Sequence, residues 1–140
     1  QQALQVLSIA KRSTEQQRIF FFSDYAFYVL IDSLEDKSIL PYCLHPLLPK
    51  LSAYDAEKNT ELYETLKVYA QTGYSKNMTA DLMFLHRNTV NYRIQQIADL
   101  FSVDFSDYTL LFKLQYSFFI DSYLNNQYIS LRPHQQPSDD

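Results

Sequence analysis

Glycine occurs once in the 140 residues, as Gly73, and cysteine once, as Cys43. A single glycine excludes a phosphate-binding loop, a dinucleotide fingerprint and a Gly-x-Ser-x-Gly nucleophile elbow, because each needs at least two. It also leaves few sites for the tight turns of a β-sandwich or barrel. One cysteine cannot build a disulfide framework or a multi-cysteine metal site within the chain, and such usage suits a reducing cytosol. The three histidines, His45, His86 and His134, lie far apart and lack metal-ligand spacing. No metal, cofactor or catalytic residue is therefore expected, and the chain is not expected to be an enzyme. Glu61 and Glu64 stand one turn apart, but a solvated helix face explains that spacing better than an acid pair does. Long hydrophobic runs are also missing: Tyr108 to Leu124 is interrupted by Lys113, Gln115 and Asp121, which argues against a membrane span. The chain opens on Gln1-Gln2 without methionine or signal peptide, which reads as a fragment of a longer protein.

A strong surplus of positive charge is lacking too. The net charge is −4, which speaks against a strongly basic nucleic-acid binder. The charge is uneven, however. Residues 74–101 hold Lys76, Arg87 and Arg93 against Asp81 and Asp99, a net of +1. Residues 102–140 hold Lys113 and Arg132 against Asp104, Asp107, Asp121, Asp139 and Asp140, a net of −3.

What is present is helical material. Apolar residues make up 46%, with twelve tyrosines and ten phenylalanines, enough for a real core. Ala3 to Gln17 reads as a helix. Ile19 to Phe22 is a short apolar run that suits a buried strand, and Asp24 suits the cap of a following helix. Pro41, Pro46 and Pro49 break any long helix and point to short turns linking two units. From Thr60 the pattern is clearer. Leu62, Leu66 and Tyr69 or Ala70 take helical spacing, and Gly73 stands where a helix C-terminus favours left-handed backbone. A shorter helix follows, with Ala80 inward. Val90, Ile94, Ile97 and Phe101, spaced +4, +3, +4, then form one continuous stripe. Tyr108 to Leu124 is a strongly apolar helix, more apolar than a small domain needs for one face. The fold expected is mainly α, a helical bundle containing a helix-turn-helix, with a short N-terminal strand left from a preceding domain.

The stretch "FLHRNTVNYRIQQI", residues 84–97, carries the functional signal. On a helix, the side away from the stripe holds Asn88, Asn91, Tyr92, Gln95, Gln96 and Asp99. A solvated helix usually carries Lys and Glu there; this one carries amides. Asn and Gln can bond adenine in a bidentate way and Arg can do so with guanine. Asn88 and Thr89, at the helix start, suit capping and a nearby phosphate. The bland alternative is a merely exposed polar face. The short helix just upstream favours the other reading, since helix, tight turn, helix is the layout of a major-groove reader.

These residues resemble a family. "ETLKVYAQTG", then "TADLMFLHRNTVNYRIQQIADLF" and "VDF", are similar to the C-terminal helix-turn-helix domain of PucR-type transcriptional regulators, the group containing purine-catabolism and sugar-diacid (CdaR) regulators. The matching residues are Thr65, Leu66 and Tyr69, then Ala80, Met83, Phe84, Leu85, His86, Arg87, Asn88, Thr89, Val90, Tyr92, Arg93, Ile94 and Ile97. The likeness covers roughly residues 44 to 124. The chain departs from the family pattern in Met83 for leucine, in Phe101-Ser102-Val103 for Leu-Gly-Leu, and in His45-Pro46 near a usual glycine.

The resemblance implies a DNA-binding output domain of a cytoplasmic bacterial regulator. A helix at about 88–101 would sit in the major groove of double-stranded DNA. Residues 1–43 would be the remnant of a preceding domain and a linker, 44–126 the helix-turn-helix domain, and 127–140 a disordered polar tail. Asn91, Gln95 and Asn88 are the candidates for base edges; Arg87, Thr89 and Lys76 are candidates for phosphates. Tyr92 would touch the DNA backbone or pack against the first helix. Arg93 suits a structural pair and His86 a hydrogen bond in the turn. Effector sensing would reside in N-terminal domains outside this chain. A homodimer is expected, with the Tyr108–Leu124 helix as its contact. The rival reading is a protein-interaction or dimerisation module that has a helix-turn-helix shape but little DNA affinity.

Overall fold

A computed structural model describes residues 26, 27 and 29–125. The expected helix at 3–17, the strand at 19–22, the cap at Asp24 and the tail at 127–140 lie outside the described residues. Among the described residues there are helices and turns and no strand, an all-α architecture. They divide into two compact units.

The second unit, Leu44–Phe118, holds the motif. Its helices are α1 (Leu47–Lys58), α2 (Leu62–Gln71), α3 (Lys76–Met83), α4 (Arg87–Phe101) and the first part of α5 (Tyr108–Leu124). One apolar core joins them. It takes Leu47, Leu48 and Leu51 from α1, Leu62, Leu66, Tyr69 and Ala70 from α2, and Ala80 from α3. Val90, Ile94 and Ile97 come from α4, and Leu110, Leu114 and Phe118 from α5. The α4 stripe is buried as its spacing requires, with Phe101 half-buried at its end.

The proline expectation needs correction. A twelve-residue helix, α1, begins directly after Pro46 and contains Pro49. The first N–H groups of a helix have no partner within it, so a proline in the first turn removes no hydrogen bond. Pro46 serves as the N-cap residue, and Pro49 is the third residue of the helix. His45 closes the junction: its Nδ1 accepts from Leu47 N at 3.1 Å, and its own N–H donates to Ser117 Oγ at 2.9 Å.

Asp55 of α1 organises the next junction. Its carboxylate accepts from Leu62 N (2.9 Å), Tyr63 N (2.8 Å) and the Thr60 hydroxyl, satisfying the free donors at the start of α2. After α2 the chain turns through Gly73 (φ 68°) and Tyr74 (φ 64°). The glycine occupies the left-handed region at no steric cost. The tyrosine is held there by its contacts: its hydroxyl donates to Leu111 O, and its ring meets Tyr69 edge-on at 5.2 Å. Burial pushes the Tyr74 hydroxyl's pKa upward, so it remains a donor.

The first unit includes the described residues up to Cys43 and those from Phe119. Helical residues 29–32 are followed by a 3-10 turn at Leu40–Cys43. Tyr123 donates to Asp32 Oδ1 at 2.9 Å, and the Phe27 and Phe119 rings lie 5.2 Å apart.

Candidate nucleic-acid interface

α3, the turn Phe84–Leu85–His86 and α4 form the helix-turn-helix. Ser75 caps α3 by accepting from Met78 N at 3.2 Å. Thr79, fully buried, ties the same end: its hydroxyl donates to Ser75 O at 2.7 Å and lies 3.1 Å from Thr72 Oγ1. At the other end Phe84 takes left-handed backbone (φ 55°), and Leu85 N bonds back to Ala80 O at 2.9 Å. A glycine would normally occupy such a position. Here the ring is 96% exposed.

α4 starts one residue before the expected bound, at Arg87, and its cap is neither Asn88 nor Thr89. The cap is His86, whose Nδ1 accepts from Asn88 N at 3.1 Å. The expected turn hydrogen bond is thus present, and it is the cap itself. An acceptor Nδ1 on neutral imidazole leaves the proton on Nε2.

The expected contact residues stand as follows. Arg87, Asn88, Asn91, Tyr92 and Gln95 are exposed, and Thr89 and Lys76 are half-buried. Tyr92 is 68% exposed. Lys76 Nζ donates to Asn91 Oδ1 at 2.5 Å, joining the start of α3 to the first half of α4. Gln95 Nε2 donates to Asp99 Oδ1 at 3.0 Å, one turn along α4. Lys76, Gln95 and Asp99 border one open hollow of about 480 Å³ closed below by Ser102–Ser106. Arg93 leaves this face and binds α2: its Nη1 lies 3.1 Å from Thr65 Oγ1 and 3.4 Å from Glu61 Oε2. Glu61, set aside in the sequence as solvent-facing, is therefore a partner of Arg93 while remaining 71% exposed.

One participant, Asp99, and one partnership, that of Lys76 with Asn91, were missed in the sequence. Asp99 was counted as a charge and not as a partner of Gln95, although Gln and Asp at i, i+4 is a readable pair. Lys76 was assigned to phosphate alone. Its bond to Asn91 spans fifteen residues, and no local pattern announces it. Among the described residues no group of three or more His, Cys, Asp or Glu could hold a metal ion, and no helix is long and apolar enough to cross a membrane.

The model of the PucR C-terminal helix-turn-helix domain family matches residues 62–118. Similar proteins include the proline-responsive transcriptional activator PutR of Bacillus subtilis, 33% identical over 108 residues, which is 76% of this chain and 26% of that protein. The DNA-binding transcriptional activator AdeR of the same organism is 30% identical over 74% of this chain and 25% of its own length. The carbohydrate diacid regulator of Escherichia coli is 30% identical over 74% of this chain and 27% of its own length. The chain thus spans about a quarter of the length of these relatives. No solved structure matches it.

Proposed function

Residues 62–118 belong to the PucR C-terminal helix-turn-helix domain family, and from that premise we propose that the chain is the sequence-specific DNA-binding output domain of a cytoplasmic transcriptional regulator. DNA binding is what the family implies; the groove, the face and the contacts are our reading. The observation that carries it is the division of α4. Val90, Ile94 and Ile97 are buried behind it, while Asn88, Asn91, Tyr92 and Gln95 are exposed in front. That front is built of amides and a phenol, groups that match base edges and backbone oxygens in the major groove.

α4 is the recognition helix in this reading. Asn88, Asn91 and Gln95 meet base edges. Arg87, Thr89, Lys76 and Tyr92 meet the sugar-phosphate backbone. The longer relatives, one of them named as proline-responsive, suggest that an effector is sensed by another part of a longer protein. A homodimer would double the phosphate contacts available to a domain with so small a positive surplus. Tyr108 (86% exposed) and Phe112 (66% exposed), one turn apart on α5, are the contact we infer for it. The protein-interaction reading rests on the same two aromatic residues and on the acidic total. It requires no DNA affinity.

Titrating a selected duplex at increasing salt separates the two. A DNA reader loses affinity steeply, with a slope near 0.9 per phosphate contact, and Lys76→Met lowers that slope by about 1. Asn91→Ala and Gln95→Ala each weaken specific binding about tenfold or more while leaving the helical signal intact. Unchanged specific affinity in both variants would mean that the wrong face was chosen. Sedimentation at micromolar concentration tests the dimer, and a strict monomer removes it.

A further inference from the structure

We propose that His86, besides capping α4, is itself a DNA contact: its Nε2–H donates to a phosphate oxygen and adds neither charge nor sequence preference. The inference rests on the DNA-binding reading above and extends its backbone contacts by one residue.

The α4 cap settles the chemistry of the ring. The Asn88 N–H is a donor, so the Nδ1 it meets at 3.1 Å carries a lone pair and no proton. A ring nitrogen has only one such lone pair, and the cap uses it. The neutral ring then holds its proton on Nε2, on the far side. The backbone of the residue is fixed as well: His86 O accepts from Thr89 N at 3.0 Å and from Val90 N at 3.2 Å. The ring is therefore anchored on one side and left with a single donor on the other. His86 is exposed, and among the described residues nothing accepts from that Nε2–H.

Capping alone does not call for histidine. Asn, Asp and Ser are the preferred caps, and Ser75 serves α3 in that way at 3.2 Å. What histidine has beyond them is the second nitrogen. Arg87, the next residue, is also exposed and has no partner among the described residues, so two adjacent side chains offer donors at the start of α4. A phosphate oxygen is the acceptor that suits the Nε2–H. Guanine N7 and O6, adenine N7 and thymine O4 each accept a donor, so a lone N–H cannot tell them apart. Its use lies in position, and phosphate contacts are what fix a protein's register on the duplex. His86 precedes the helix, whereas the base-edge candidates Asn88, Asn91 and Gln95 run along it. A residue already held by hydrogen bonds from Asn88, Thr89 and Val90 has little freedom left to lose on contact.

Three substitutions separate the two nitrogens. His86→Asn and His86→Ser keep a capping acceptor and lose the outer donor. His86→Gln gives up the cap and carries an amide N–H out to about where Nε2 stands. The 140-residue chain and these variants are titrated with a selected duplex and with a random duplex over a salt series, beside urea unfolding. His86→Asn and His86→Ser should keep the wild-type unfolding midpoint. They should bind both duplexes about tenfold more weakly, as loss of a hydrogen bond to a charged group implies, with the salt slope unchanged. His86→Gln should lower the midpoint and keep most of the affinity. Wild-type affinity in the Asn and Ser variants overturns the inference and leaves His86 a cap. A loss confined to the selected duplex also overturns it, because the ring then meets a base edge. So does a loss that follows a lowered midpoint in both variants, or a Gln variant as weak as they are. Each of these leaves the DNA-binding reading standing. If the wild-type chain binds neither duplex, that reading falls and takes the inference with it.

Discussion

Arg93 Nη1 lies 3.1 Å from the hydroxyl of Thr65, a residue with no exposed surface, and the bond fastens α4 to α2. Thr65 also donates to Glu61 O at 2.7 Å, so its hydroxyl is used in both senses. Loss of the guanidinium leaves a buried acceptor with nothing to accept. Arg93→Ala should lower unfolding free energy by about 1 kcal/mol, the worth of one ordinary hydrogen bond. Glu61→Ala, which removes a mostly exposed partner at 3.4 Å, should cost less than about 0.5 kcal/mol. Urea denaturation of the two variants measures the difference. Equal losses would show that the ion pair, not the threonine, holds the helix.

Asp55 serves three donors at the α1–α2 junction. Asp55→Ala strips the start of α2 of its side-chain acceptors and should destabilise by about 1–2 kcal/mol, as loss of a helix cap does. Asp55→Asn keeps one acceptor oxygen and should recover part of that. The midpoint of urea unfolding reports both.

Phe84 combines left-handed backbone with an almost fully exposed ring. A bulky residue is costly in that region, and asparagine tolerates it better. The ring returns little packing energy to the fold. Phe84→Asn should therefore raise stability by about 0.5–1 kcal/mol. A drop in melting temperature would mean that the aromatic side chain supports the turn after all.

His45 supplies a pH dependence. Burial, and then the positive charges of Lys113 and Lys50, hold its pKa below the ordinary 6.5. Its Nδ1 accepts from Leu47 N, which the protonated ring cannot do. The folded state thus resists a proton that the unfolded state takes up near pH 6.5. Stability should fall as pH drops through 6.5 toward the lower folded value, and level off below it. His45→Asn keeps a cap acceptor and removes the titration, so it should flatten this window in unfolding curves between pH 7 and pH 5. Asp36 and Asp104 have pKa values below the ordinary 3.8, set by hydrogen bonds from Ser38 and Ser106, and their stabilisation is lost only in more acidic solution.

Much of the motif could be read from local order. The stripe Val90, Ile94, Ile97 is a spacing, Gly73 is a turn signal, and the α5 bounds follow the strongly apolar stretch between "SVDFSD" and Asn125. Where local rules misled, the reason is local too. Pro46 and Pro49 look like breakers until one knows that they stand in a first turn, where no N–H is missed. Asn88 looks like a cap until His86, with an acceptor on its ring, takes that place.

The amino-acid sequence by itself determined the helical class, the periodic faces of α2 and α4 and the family pattern around His86-Arg87-Asn88-Thr89, because periodicity and capping act over one to four residues. Tertiary structure alone decided the partners. Lys76 meets Asn91 and Arg93 meets Thr65 only after α3 and α2 have packed on α4, at separations of 15 and 28 residues. A hydrogen bond depends on where folding brings two atoms, and chain distance carries no record of that.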